Sequence, residues 1–190
     1  MRRSRAEAEE TRRRIVQTAA KAFRRNGIHA TGLNDVMADA GLTHGGFYRH
    51  FESKGELVAE ACSVGMDAIV DVARAAASGA AGREALEAIL EAYLSTAHRD
   101  NVGDGCPLAG IGSELARADG ETRKAASAGF LTMVDTVAKQ LRRRKPADAK
   151  AEALFVLSAM IGAVTMSRIV DDPALSDAIL QETRSRLAKI

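Results

Sequence analysis

The stretch Gly41 to Lys54, GLTHGGFYRHFESK, gathers His44, Tyr48, Arg49, His50 and Lys54, side chains that donate hydrogen bonds to phosphate oxygens and base edges. Two glycines, Gly45 and Gly46, stand beside them, each costing a helix about 1 kcal/mol relative to alanine. With Phe47 pointing inward, 100° per residue puts Phe51 on the same side, Gly45 and Arg49 opposite, and Gly46 and Tyr48 on the flanks. A helix meant for solvent would gain from Ala, Glu or Lys at 45 and 46. Glycine suits a backbone that another body approaches closely, and a DNA major groove, about 12 Å wide, is tight around a helix. The fragment alone equally fits a loose turn carrying a solvated basic face.

The elements around it are helical. Ile15, Ala19, Ala22 and Phe23 recur at helical spacing, and Asn26-Gly27 ends that helix. Met1 to Glu10 has no apolar face and is expected to be a flexible arm. Thr31 is placed as the N-cap of a second helix whose buried face is Leu33, Val36, Met37 and Ala40. Gly41 ends it, Leu42 plugs the corner, and Thr43 caps a third helix through Phe51, which makes a helix-turn-helix unit. A long helix, about residues 54–77, follows. Leu86 to Ala97 mark the next one, which stops at RDNVGDG, and a short apolar helix follows Pro107. Phe130, Val134, Val137 and Leu141 lie on another, and two last helices flank Asp171 to Pro173. Strand signals are weak throughout, so the expected class is all-α, about nine helices.

Charge is divided unevenly. The net is +2, but residues 1–54 hold 11 Lys and Arg against 6 Asp and Glu, leaving 16 against 19 in residues 55–190. Three of the four histidines are also in the first part. A small basic head on a mildly acidic body suits a polyanion partner, with a solvated arginine-rich tail as the alternative. The functional boundary is placed at residue 54/55. Two cysteines, too few for a disulfide framework or a zinc site, suit a reducing cytoplasm. No apolar stretch follows the N-terminal arginines to make a signal peptide. The longest apolar run, Ala153 to Ser167, is 15 residues, short of the roughly 20 that span a bilayer, so a buried helix and no membrane partner are expected. No Ser/His/Asp set, paired carboxylates, phosphate loop or metal-ligand spacing points to an enzyme, a cofactor or a metal.

The run TRRRIVQTAAKAFRRNGIHATGLNDVMADAGLTHGGFYRHFESKGEL, Thr11 to Leu57, closely resembles the N-terminal domain of the TetR family of transcriptional regulators. The likeness rests on Thr31, Asp35, Val36, Ala38, Ala40, Gly41, Tyr48, His50, Phe51, Ser53, Lys54 and Leu57. It departs at Met37, where a small residue is usual. By position, the resemblance implies phosphate contacts from Thr31 and Lys54, backbone contacts from Tyr48 and His50, and base-facing positions at His44, Gly45, Gly46 and Arg49, with Thr43 at the start of that helix. Two glycines bring no side-chain donor, so few direct base contacts are expected. The family also implies a C-terminal ligand-binding and dimerisation part over residues 55–190. Leu154, Leu157, Ile161, Gly162 and Val164 are assigned to a two-fold homodimer interface, with burial inside the monomer as the alternative. A dimer would set two recognition helices about 34 to 36 Å apart on a palindromic double-stranded operator.

DGCPLAGIGSELA is the most distinctive C-terminal segment. Cys106 precedes Pro107 at a helix start, a position that lowers a thiol pKa, and the GCPL run is similar to the AcrR/NemR-like branch of the family, which includes reactive-electrophile regulators. A lone cysteine is also commonly a small buried hydrophobe. Cys62 is assigned to the core and His98 to the surface. Ile89, Tyr93, Phe130, Met133 and Met166 are candidates for a pocket around a small-molecule effector. Arg142 to Lys145 is assigned to a helix C-terminus. Together these describe a cytoplasmic, non-enzymatic regulator, a repressor released by an effector or by cysteine modification. The competing description is an architectural DNA binder without a ligand, and an enzyme is the more distant one.

Overall fold

The computed structural model describes residues 5–141 and 145–190, and among them the chain is helical without strands. The elements are α1 (Arg5–Asn26), α2 (Leu33–Asp39), a 3-10 segment (His44–Arg49), α3 (Lys54–Ala76), α4 (Arg83–Tyr93), α5 (Thr96–Asp100), a 3-10 turn (Val102–Asp104), α6 (Pro107–Leu115), α7 (Gly120–Ala138), a 3-10 turn (Lys139–Leu141), α8 (Pro146–Ile169) and α9 (Pro173–Leu187). Nine α-helices stand among the described residues, as expected, but not the same nine. The third helix is 3-10, and the helix expected over Leu86 to Ala97 is divided: the chain leaves α4 at Leu94 and restarts as α5 with Ser95 as N-cap, its Oγ accepting from His98 N at 3.1 Å.

Several local expectations are corrected. Residues 5–10 are not an arm but the first turns of α1, where Thr11 is buried and donates to Glu7 O at 2.7 Å. The arm's first four residues and Arg142 to Arg144 of the basic run lie outside the described residues. Thr31 is not the cap of α2. Gly32 holds that place, while the buried Thr31 hydroxyl donates back to Gly27 O at 2.7 Å and ties the turn to α1.

Two apolar clusters fill the molecule. One joins α1, α2, Phe47 and Phe51 to the first half of α3, to Ile111 and Leu115 of α6 and to Ala126 of α7. The other joins the rest of α3 to α4, α7, α8 and α9. The helix α3 is continuous through both. A methyl at Gly129 of α7 would overlap Met66 Cβ on α3, so the two helices approach as closely as a missing side chain allows.

The last helices expose more apolar surface than the first cluster does. Ala153, Val156, Leu157, Met160 and Val164 of α8 are buried, whereas Leu154, Phe155, Met166 and Ile169 are exposed, as is Leu175 of α9. By length and composition α8, at 24 residues, could cross a bilayer, so the argument from the 15-residue apolar run does not extend to the whole helix. What it does here is pack one face against α7 and α9.

Candidate nucleic-acid interface and adjoining cleft

The segment after Leu42 is anchored by aromatic rings. Phe47 and Phe51 are buried and stack at 5.4 Å, and the guanidinium of Arg12 lies 4.1 Å over Phe51. Arg12 also holds the carboxylates of Glu56, at 2.7 Å, and Glu60, which pins α1 to α3 behind the segment. Ser53 starts α3 by accepting from Glu56 N at 3.1 Å, and Glu56 accepts in turn from Glu52 N at 2.6 Å, close to a capping box. The Arg12 guanidinium holds the Glu56 carboxyl below its ordinary range.

On this base the outer face is as the helical arithmetic required, although the backbone is 3-10 and not α. Gly46 N donates to Thr43 O at 3.0 Å and His50 N to Phe47 O at 2.9 Å, both three residues back. Thr43 supplies no side-chain cap, and two adjacent glycines do little to hold an α turn together, so the tighter winding wins. Thr43, His44, Gly45, Tyr48 and Arg49 are exposed, Tyr48 at 66%, while Gly46 and His50 are half-buried. The Tyr48 ring stands edge-on to Phe47 at 5.2 Å and to His44 at 6.3 Å. A Cβ on Gly45 would meet nothing within 4 Å, and one on Gly46 only Met37 Cε at 3.5 Å. Positive φ is confined to Gly27, Gly41, Gly79 and Gly82 among the described residues, so neither torsion nor internal packing demands glycine at 45 or 46.

Two residues assigned to phosphate contact are committed internally. The Lys54 ammonium donates to Ile28 O and Thr31 O, each at 2.7 Å, and Thr31 is 3% exposed. They lock the α1–α2 turn onto α3 and so position the exposed segment. Sequence spacing does not show this, because the carbonyls they serve are backbone groups that any residues would provide.

A cleft of about 290 Å³ opens between α3, α4 and α5. Ile69, Val72, Ala73, Ile89 and Tyr93 form its apolar wall, and Ser95, His98, Asn101 and Asp104 its polar edge. Of the five pocket candidates, Ile89 and Tyr93 line it. Met133 is buried in the core, Phe130 packs half-buried on that core, and Met166 is 49% exposed on the outer face of α8 and does not line this cleft, because α8 turns that side outward.

His98 is corrected, and Cys106 takes the buried alternative. Cys106 is 2% exposed, and burial pushes its thiol up, outweighing the pull of the Leu108 and Ala109 amides at the start of α6. The Tyr93 hydroxyl faces this thiol without a hydrogen bond of regular geometry. His98 is no surface residue: its Nδ1 pairs with Tyr93 O at 2.7 Å, and its Nε2 accepts from Cys106 N at 3.0 Å. That arrangement makes Nδ1 the protonated nitrogen, and burial lowers the imidazole pKa. Its sequence neighbours, mostly polar, gave no sign of burial. Cys62 is a core residue, its thiol pushed up to about 11 by burial. The described residues hold no His/Cys/Asp/Glu group that could bind a metal.

The loop after α5 grips α1. Asp104, on the cleft's edge, pairs with Lys21 at 2.9 Å, and Arg24 Nε donates to Gly103 O at 2.7 Å. At the other end of α6, Glu114 accepts from His29 N at 2.9 Å and lies over Gly27. The edge of the cleft is thus tied to α1, which shares its apolar cluster with α2, Phe47 and Phe51. Neither link has a sequence signature, since the partners are 85 residues apart or similarly distant.

The interface assignment on α8 is partly corrected. Leu154 and Gly162 are exposed and Ile161 is half-buried, but Leu157 (1% exposed) and Val164 point into the monomer core. The outward stripe runs instead through Phe155, Gly162, Met166 and Ile169.

Known proteins match along most of the chain. A family model for bacterial regulatory proteins of the tetR family covers residues 15–61, and one for the C-terminal domain of LmrA/YxaF-like transcriptional regulators covers residues 83–181. The HTH-type transcriptional regulator TtgR of Pseudomonas putida is 45% identical over 58 residues, 30% of this chain but only 28% of that protein. An HTH-type transcriptional regulator of Mycobacterium tuberculosis is 27% identical over 184 residues, 93% of each chain. The crystal structure of a TetR transcriptional regulator from Chloroflexus aurantiacus is 28% identical, covers 97% of this chain and 95% of its own, and superposes with a TM-score of 0.82. The helical architecture, the anchored helix-turn-helix and these matches agree: the chain belongs to the TetR family of bacterial transcriptional regulators.

Proposed function

We propose that the protein is a homodimeric transcriptional repressor that seats the His44–Arg49 segment of each subunit in a DNA major groove and lets go when a small molecule occupies the cleft beside α4. The supporting observation is the outer face of that segment. It is rigidly backed by Phe47 and Phe51, and it is bare at Gly45 for no reason internal to the chain. Tyr48, Arg49 and His44 flank the bare position as donors for phosphates and bases. Residues up to 54 form the DNA-reading unit and residues 55–190 the effector and dimer unit, with α3 as the shared helix.

The exposed stripe Phe155, Gly162, Met166 and Ile169, with Leu154 and Leu175, is the dimer face. A two-fold axis through it pairs the segments for a palindromic site. Effector binding releases DNA only to the extent that it prefers the conformation that does not fit DNA. The tie of Asp104, on the cleft's edge, to Lys21 of α1 gives the cleft a physical route to the DNA-reading unit. Burial of Cys106 weighs against the thiol as the trigger and for the cleft. A DNA reader of this kind, with two unpaired cysteines, works in the reducing cytoplasm.

The test is enrichment of bound sequences from random duplex DNA. The expected result is a two-fold symmetric motif whose binding is lost in Tyr48→Ala while the fold is kept. No enriched motif, or equal binding by the variant, would overturn the proposal.

A further inference from the structure

Among the residues that line the cleft, Asp104 is the one that carries charge, since burial, the nearby Arg168 and the Cys106 N–H donated to Nε2 keep His98 neutral. The Lys21 ammonium holds the Asp104 carboxyl below the ordinary range, and both side chains stay near half exposed. An anionic ligand would meet that carboxylate with no lining cation to compensate. A neutral ligand would leave it with Lys21. A ligand cation would compete for it directly, and Lys21 belongs to α1, the first helix of the DNA-reading unit.

We propose that the cleft recognises cationic amphiphiles, with an apolar body against Ile69, Ala73, Ile89 and Tyr93 and a protonated amine taking the place of Lys21 at Asp104. The proposal rests on the cleft being the effector site. It adds the charge of the effector and the point at which binding is felt: one of the ties between α1 and the loop after α5 is exchanged for a contact to ligand, while Arg24 to Gly103 remains.

Calorimetric titration of the full chain with 4-phenylbutylamine, 4-phenylbutanol and 4-phenylbutyrate tests it, since the three differ only in the charge at one end. The amine should bind about fivefold tighter than the alcohol, the worth of a partly exposed ion pair, and the carboxylate more weakly than either. Asp104→Asn should erase the difference between amine and alcohol. Lys21→Met, which removes the competitor from a half-exposed position, should tighten the amine about threefold and leave the alcohol unchanged. A purely structural role for the Lys21–Asp104 pair would not produce that gain. Equal affinity of amine and alcohol, persistence of the preference in Asp104→Asn, or no gain in Lys21→Met would overturn the charge selection. Alcohol binding that Val72→Trp abolishes would keep the cleft itself as the ligand site in each of those cases, and failure of all three probes to bind would overturn both.

Discussion

Gly45→Ala separates what the segment does for the fold from what it does for DNA. In the free protein the glycine has a negative φ and open space where a Cβ would stand, so alanine costs nothing in packing or torsion. It removes backbone freedom from the unfolded chain, which is worth about 0.4–1 kcal/mol. For a chain of 190 residues that raises Tm by about 1–4 °C. If the backbone at 45 lies against DNA, the same methyl must be accommodated in a packed interface at a cost of about 1–3 kcal/mol, a loss of roughly 5- to 150-fold in affinity. The assay is thermal unfolding beside fluorescence anisotropy with the enriched duplex at one fixed salt concentration. A variant more stable than the parent yet weaker on DNA is the expected result. Unchanged affinity would refute the close approach, and a fall in Tm would refute the account of the free segment.

Gly27→Ala should lose about 1–3 kcal/mol in urea unfolding, because φ there is +88° and the new Cβ would lie 2.7 Å from Glu114 Oε1. Leu157→Ala should cost about 2–5 kcal/mol as a core truncation, whereas Phe155→Arg with Ile169→Arg should leave the monomer folded and give a 20.1 kDa species in sedimentation. His98 is half-buried and neutral, with its pKa below the ordinary 6.5, so it contributes stability that is present above pH 6.5 and is lost as pH falls through 6.5 towards its folded value. Urea midpoints from pH 8 to pH 5 should show that loss, and His98→Asn should flatten it.

Elements governed by local rules were legible in the chain itself. Gly27 and Gly41 have the positive φ that their places after α1 and α2 imply, and Phe47 and Phe51 face inward as expected. What depends on distant partners was not. Lys54 looks like a free cation until the carbonyls of Ile28 and Thr31 are seen around it. Cys106 stands at a helix start that lowers a thiol pKa, but three-dimensional burial reverses the sign. The two faces of α8 are both apolar, so residue type could not say that Leu157 and Val164 turn inward while Phe155 and Met166 turn out. The first turns of α1 lack an apolar stripe, and they are helical because the helix beyond them is already packed.

The seating of the His44–Arg49 segment in duplex DNA is most directly tested by hydroxyl-radical and dimethyl sulfate footprinting of the full chain on its enriched duplex. Two protected patches one helical turn apart, with guanine N7 groups shielded in the major groove at the centre of each half-site, are the predicted pattern. Protection without a repeat, or shielding confined to the minor groove, would contradict it.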